Sequence, residues 1–494
     1  MEIDLDIPEQ LSYSKNMTTS LVPLPQQWIL EKGNCVKDLT QGSLPKHLMA
    51  MALPMSIGMF VQTLYVLTDL YFVSDLGSAP VAALSLIGNI MFLIFAVSQI
   101  LNVGTATLIA HAVGEKDQSS ANLVFNQALF ASVALGTMLL LTGIYGIESY
   151  LQITSEDPAT SEAALTYSYW FLPCLVLQFV MTTIGAALRG TGVVKPMMAA
   201  QIGSLIINII LSPILISGWL FGIEMGIAGA GLASSISVVI AVLSLWLYLN
   251  HDKRYLVLDS QLFLTFHPHT IKRLFSVGFP AGAELILMFV YMSTTFWVLK
   301  DFGTDVQAGF GIGSKVIQAL FLPVMAVAFS LPAIAGQNYG AGNFKRFRQA
   351  FYWSLLATCS LMLVTSLLAI HLGAQFAMPF SENPKVIGHT RYFLDIVAWS
   401  FIATGVIFTC SGLFQASGNT WPPLYSNTTR LFTFVLPVIW LVKQQQLTIT
   451  ELWYLTVLSV IVQAIVSLTF VSFSLRATYK LPATFTATKK NLLS

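Results

Sequence analysis

Residues 53–75 read LPMSIGMFVQTLYVLTDLYFVSD. With the apolar residues just before it, this run covers about 50–73, and roughly 20 apolar residues in helix cross a bilayer. Pro54 stands one turn inside the start, and Asp69 is a carboxyl within the apolar run. A charged group at the centre of a spanning helix costs about 2.5–3.5 kcal/mol on insertion scales, so such groups are rare and usually functional. The stretch therefore reads as a membrane helix carrying a load-and-release site.

The rest of the chain fits that reading. Of 494 residues, 55% are hydrophobic and 10% charged, with mean hydropathy +0.73. Soluble domains carry about 25% charged residues, so this composition excludes a water-covered globule. A net charge of +1 gives no reason to expect a nucleic-acid partner. Cys35, Cys174, Cys359 and Cys410 are scattered, with no C-x-x-C. The sequence shows no Walker loop, zinc spacing or nucleophile elbow, so neither ATP-driven transport nor an enzyme is expected. Residues 1–46 mix acids and bases ahead of any apolar run, unlike a cleaved leader.

Twelve stretches are long and apolar enough to span: about 50–73, 82–111, 122–147, 162–188, 196–217, 227–249, 274–299, 308–335, 348–372, 389–415, 422–442 and 452–475. Eighteen Lys and Arg fall in the tails and in the loops on one side, against four (Lys300, Lys385, Arg391, Lys443) on the other. The positive-inside rule then predicts both termini in the cytoplasm of a multi-pass inner (plasma) membrane protein.

The chain also repeats itself at one constant offset, the distance from Pro54 to Pro280. At that spacing Thr68 matches Thr294, Asp75 Asp301, Gly77 Gly303, Gly114 Gly340, Gly192 Gly418 and Pro196 Pro422. The expected fold is an all-α polytopic membrane protein. Its twelve transmembrane helices form two parallel, pseudo-twofold-related six-helix bundles around a central cavity. The division is a cytosolic tail 1–46, an N-lobe 47–250, a cytosolic linker 251–273, a C-lobe 274–476 and a cytosolic tail 477–494. The intramembrane charges break the repeat: Asp69 aligns with Thr295, Gly58 with Glu284 and Asn89 with Lys315. The frame is duplicated and the chemistry is divided.

A carboxyl at Asp69 either stays protonated or holds a cation with other oxygens, or else it is an N-cap or a structural acid bonded to a neighbouring helix. Tyr65 is one turn away on the same face. Asn208 and Ser212 lie one turn apart in span 5. Ser234 and Ser235 lie in the small-residue run of span 6, where they either ease helix packing or supply oxygens. Pro54 either bends the first helix or sits tolerated in its first turn. Glu284 and Lys315 reach similar depths in spans 7 and 8, as a structural ion pair or as a second-lobe charge or substrate site. Arg391 and Asp395 have the i,i+4 spacing of a local ion pair, and Arg430 can snorkel toward the basic side. The 17 methionines and 12% aromatics suit either an adaptable cavity or ordinary lipid-facing surface.

The chain resembles the multidrug and toxic compound extrusion (MATE) family, nearest to its prokaryotic DinF-like branch. The resemblance rests on Pro54-x14-Asp69, the run Thr68–Gly77, Ala110-x-x-x-Gly114, Leu188–Pro196 (LRGTGVVKP), Asn208–Pro213 (NIILSP) and Gln415–Thr420 (QASGNT), in order over about 45–475. It implies export of organic, often cationic, compounds in exchange for H+ or Na+, with no cofactor, no ATP and a monomeric transporter as partner of the bilayer. It also implies a cation or proton-coupling site at Asp69, Tyr65, Asn208 and Ser234. Ser212 stands where the branch commonly has an aspartate. Glu284 looks like the glutamate of span 7 in other branches. Rival readings are a flippase for lipid-linked precursors and a receptor or scaffold that does not transport.

Overall fold

The computed structural model describes residues 36–154, 157–219, 222, 224–250, 255–445 and 447–479, and its regular structure is helical throughout. The first half comprises α1 (Leu44–Ser74), α2 (Ser78–Gly114), α3 (Gln118–Thr154), α4 (Pro158–Phe171), α5 (Cys174–Gly190), α6 (Lys195–Ile216) and α7 (Ile227–Asn250). A short α8 (Ser260–Leu264) lies in the linker. The second half comprises α9 (Pro268–Leu299), α10 (Thr304–Gly340), α11 (Phe344–Ala377), α12 (Pro384–Val397), α13 (Phe401–Ser417), α14 (Trp421–Arg430), α15 (Leu436–Lys443) and α16 (Ile449–Tyr479).

Among the described residues, ten helices are long and apolar enough to cross a membrane, or eleven when α4 and α5 count as one span. These two meet at 54° around Leu172-Pro173, where proline removes a backbone donor and stops the helix. Span 10 is α12 and α13 joined through a 3-10 turn at Ala398–Ser400. Span 11 is α14 and α15 joined through a π turn at Leu431–Val435, just ahead of Pro437. Bulges of this kind often absorb a lost backbone bond. These breaks are why span 11 fails a simple length criterion although the chain runs on through it.

α1 begins at Leu44, ahead of the start that hydropathy predicts, and runs unbroken through Pro54. Its first turns are more polar because they project past the hydrocarbon: 31 residues of helix are about 46 Å long at 1.5 Å per residue. Before it, residues 36–43 lie along the protein, with Leu39 fully buried.

The linker is also tied down. Asn126 Nδ2 donates to Val257 O at 2.9 Å, and its Oδ1 accepts from Asp259 N at 3.0 Å. Gln127 Nε2 donates to Leu262 O and Thr265 O at 2.6 and 2.7 Å, and its Oε1 accepts from His267 N at 3.0 Å. Polar side chains at the start of α3 thus satisfy backbone groups that an irregular segment would otherwise leave open.

Each half builds its own apolar core. One gathers Leu108, Phe125, Phe179 and Leu245 from α2, α3, α5 and α7, and the other Phe310, Phe393, Phe401 and Trp453 from α10, α12, α13 and α16. The halves meet where α2 and α10 end, at the loops bearing Lys116, Lys345 and Arg346, called here the basic end. The last third of α2, residues 103–114, is wholly buried, as are residues 330–338 of α10. A methyl group on Gly114 would collide with the carbonyl oxygen of Gln337, and one on Gly340 with that of His111. These two glycines, matched by the repeat, let the twin helices cross backbone to backbone. Each half's first helix leans over at this end: α1 packs on α10 and α9 on α2, where Gly278 meets the Ile100 carbonyl. Among the described residues, the hydrogen bonds between the lobes all lie at the basic end.

Candidate functional site

Asp69 lies near the end of α1, about 8 Å below it along the axis, and is 7% exposed. Its neighbours come from two further helices. Asn208 of α6 donates through Nδ2 to Asp69 Oδ1 at 3.0 Å, and Ser234 of α7 donates through Oγ to Oδ2 at 2.9 Å. Asn208 Nδ2 also lies 3.4 Å from Ser234 Oγ. Tyr65 OH donates to the main-chain oxygen of Ser234 at 3.4 Å. Asn208, Ser212 and Ser234 are fully buried. No Lys, Arg or His comes within ion-pair distance of Asp69 among the described residues. The carboxyl is therefore held by neutral donors alone, which leaves its charge to be met by a proton or a mobile cation.

Asn208 Oδ1, on the amide that contacts the carboxyl, and Ser212 Oγ, one turn further along α6, are buried with no hydrogen-bond partner. Unpartnered buried acceptors are uncommon and call for an explanation. The polar atoms gathered around the carboxyl are Ser234 Oγ, the Ser234 main-chain oxygen, the Tyr65 phenol and the Asn208 amide. Among the described residues, no three His, Cys, Asp or Glu come together as a metal cluster.

The structure brings Tyr65, Asp69, Asn208 and Ser234 together. It places Ser212 one turn further along α6, on the same face but not bonded to Asp69. Ser235 turns the other way and donates to Trp170 O at 2.6 Å, so of the two serines only Ser234 serves the site. Tyr167 of α4, buried and stacked on Phe171 at 5.4 Å, stands beside Asp69, Tyr65 and Ser234. It was not legible beforehand, because a tyrosine in a partly polar segment carries no period that marks it.

The matching place in the other lobe is filled. Counting on by the offset of the repeat, Tyr65, Asp69, Asn208 and Ser234 correspond to Tyr291, Thr295, Phe434 and Val460. Thr295 Oγ1 bonds back to Tyr291 O in its own helix at 3.0 Å. Phe434, fully buried, packs on the Tyr291 ring at 4.6 Å. Arg430 does not snorkel outward; its guanidinium lies 3.9 Å from the Tyr291 ring centroid, a cation–π contact.

The C-lobe carries its own acid elsewhere. Glu284 Oε2 accepts from Ser411 Oγ at 3.4 Å, and Glu284 O accepts from Asn427 Nδ2 at 2.9 Å. Cys410, Phe414, Pro422 and Ser467 line the same place, which has no room for a water molecule. Of the two readings of Glu284 and Lys315, the structural ion pair is not formed. Lys315 is exposed on the face of α10 away from Gly313, which packs on Phe393. The reason is the crossing at the basic end: α9 lies against α2 and α14 rather than along α10. Arg391 and Asp395 do pair, at 3.6 Å and largely exposed. Arg189, counted among the basic-side charges, instead turns inward and donates through Nη2 to Asn102 Oδ1 at 2.7 Å.

Two lobes crossed at one end, with one uncompensated acid inside each, define a polytopic membrane transporter fold. The MatE family model matches residues 54–214 and 280–441, one match per half, and the chain belongs to that family. The two matches start at Pro54 and Pro280, the pair that sets the offset of the repeat. The chain is 24% identical over 383 residues to the multidrug export protein MepA of Staphylococcus saprophyticus, covering 77% of this chain and 83% of the relative. It is 25% identical over 387 residues to MepA of Staphylococcus haemolyticus, with the same coverage. Among solved structures, a multidrug resistance MATE family transporter of the MOP superfamily in an outward-facing conformation superimposes with TM-score 0.84 at 25% identity, over 91% of this chain and all of that one. A MOP superfamily transporter from Pyrococcus furiosus, described as having a binding pocket of reverse polarity that suggests a different function, gives the same values.

Proposed function

We propose that this protein is a secondary antiporter. It exports organic, often cationic and amphipathic, compounds in exchange for H+ or Na+ bound at Asp69. The observation that carries the reading is a buried carboxyl held only by neutral donors, one of which, Asn208, keeps its own amide oxygen unpartnered. The relatives' names support the cargo class, since multidrug export is stated of MepA.

In the ion-free arrangement Asn208 turns its amide N–H toward Asp69. A bound Na+ needs oxygens instead, so the Asn208 side chain rotates and presents Oδ1, joined by Ser234 Oγ, Ser212 Oγ and the Tyr65 phenol. A proton on Oδ2 of Asp69 leaves Oδ1 accepting from Asn208 and turns Ser234 Oγ from donor to acceptor, because a carboxylic acid donates where a carboxylate accepts. Either event repacks α1 against α6 and α7. Because α1 also reaches the C-lobe at the basic end, loading is felt between the lobes. Coupling then follows from differential binding: the ion and the cargo favour opposite arrangements of the same two lobes. Glu284 supplies a second charge, for a cationic substrate or a second ion.

The basic end faces the cytoplasm of the inner (plasma) membrane, with both termini on that side. The transporter works as a monomer without ATP, cofactor or nucleic acid. The test is export of a fluorescent organic cation from proteoliposomes, with the H+ and Na+ gradients imposed independently. Export indifferent to both gradients excludes the antiporter. A labelled lipid moved in preference to the cation indicates the flippase instead.

A further inference from the structure

The closure at the basic end is built from one motif used twice. His111, near the end of α2, donates through Nε2 to Ala416 O at the end of α13, at 2.7 Å. Gln337, near the end of α10, donates through Nε2 to Gly190 O at the end of α5, at 3.1 Å. His111 and Gln337 are matched by the offset of the repeat, and so are Gly190 and Ala416. Each lobe thus sends one side chain across the pseudo-twofold axis onto the last carbonyls of the other lobe's fourth span. A helix end leaves such carbonyls without intrahelical partners, so a donor from the opposite lobe satisfies them only while the lobes are together. Thr107 adds a third bond, Oγ1 to Gln415 O at 3.0 Å.

The two arms differ in one respect. His111 is fixed by ring contacts: it stacks on Tyr339 at 5.1 Å and lies against Gly418. Gln337 is fixed by the segment ahead of α1. Its Oε1 accepts from Leu39 N at 2.9 Å. Leu39 O accepts from Asn338 Nδ2 at 3.2 Å, and Lys37 N donates to Thr191 O at 3.0 Å. Arg346 of α11 holds the far side of the segment, donating through Nη2 to Gln41 O at 2.9 Å and Gly42 O at 2.7 Å. Residues 37–42 therefore touch the N-lobe at Thr191 and the C-lobe at Gln337, Asn338 and Arg346, with the Leu39 side chain buried between.

We infer that His111 and Gln337 are the positioning residues that hold the lobes shut at the basic end, and that residues 37–42 form a strap that locks the Gln337 arm. Opening this end requires both side chains to leave their carbonyls and the strap to come off one lobe. The inference rests on the alternating-access reading, but it concerns the lobe equilibrium alone and can be measured without transport.

The test uses the full chain with its native cysteines replaced and spin labels on the exposed positions 115 and 345, one per lobe. Pulsed electron-spin distances then report the fraction open at the basic end. Each lost bond between neutral groups is expected to raise the ratio of open to closed about five-fold. His111→Ala and Gln337→Ala should each do so. His111→Gln, which reproduces the other arm's donor, should return the ratio toward that of the parent. Leu39→Asp, which puts a charge on the strap's buried anchor, should also raise the ratio. Arg346→Gln, at the edge of the strap, gives the same reading where the Leu39 variant does not fold. A distance distribution unmoved by Gln337→Ala and Arg346→Gln overturns the inference, as does a His111→Gln variant as open as His111→Ala. An ion-independent transporter that still shows these shifts would refute the antiport reading and leave the latch standing.

Discussion

Replacing Asp69 by Asn keeps the shape of the site and removes its charge. One oxygen survives to accept from Asn208 at the present 3.0 Å, and the new amide meets Ser234, whose hydroxyl can turn to accept instead of donate. The exchange of one buried hydrogen bond for another leaves the folded protein within about 1 kcal/mol of its parent. The ion loses far more. Two unit charges about 4 Å apart at an effective dielectric of about 20 attract by about 4 kcal/mol, or roughly a thousand-fold in affinity. Asp69→Asn should therefore unfold at nearly the parent temperature while its gradient-driven export falls to the level of empty liposomes. The assay is export of a fluorescent cation from proteoliposomes under a pH step, then under a Na+ step, with thermal unfolding of the same preparation. Parent-like export under both steps would falsify the assignment of the ion to Asp69. Equal loss of export and of thermal stability would show that the carboxyl holds the fold together instead.

Three further outcomes are expected. Glu284→Gln keeps the Ser411 contact but not the charge, and should weaken the apparent KM for a monovalent cationic substrate about ten-fold, the scale of one partly compensated charge pair. Gradient dependence should survive in this variant; its disappearance would make Glu284 a coupling acid instead. Gly278→Ala drives a methyl group into the Ile100 carbonyl and should cost about 1–3 kcal/mol by overpacking, seen as a lower unfolding temperature, whereas Gly311→Ala, with open space around it, should not. Gln127→Ala removes three bonds to the linker backbone, each worth about 1 kcal/mol. It should speed limited proteolysis within 255–273 at least ten-fold, and unchanged cleavage would mean that the linker is held by other contacts.

The duplicated frame was legible because close helix crossings demand glycine and bends demand proline, and both recur at one spacing. Asp69 and Asn208 were legible because acids and amides in apolar helices are few, Tyr65 because it lies one turn from Asp69, and Ser234, rather than Ser235, only through the family resemblance. What sequence could not supply was the direction a side chain faces around its helix. Depth along the span placed Glu284 and Lys315 side by side; the lean of α9 onto α2 parted them. Arg189 sits at a helix end among basic residues, and only the packing of α5 on α2 turns it toward Asn102. The strap at 37–42 has no period and no motif. Its role comes from Gln337 and Arg346, which belong to the opposite half of the chain.

The Phe434 ring and the Arg430 guanidinium against Tyr291 bear on how the protein responds to voltage. A charge crossing the membrane potential is worth about 2.3 kcal/mol per 100 mV. On the antiport reading, with Phe434 in the place of Asn208 and the Arg430 guanidinium on the Tyr291 ring, an ion at Asp69 has no counterpart at the matching depth of the C-lobe. At that depth the field would then act on a passenger in one lobe only, so that a symmetric frame becomes an electrically lopsided one. Hyperpolarising the membrane should shift the balance of lobe orientations by an amount set by a single charge, and restoring a carboxyl and an amide at 295 and 434 should raise it toward two.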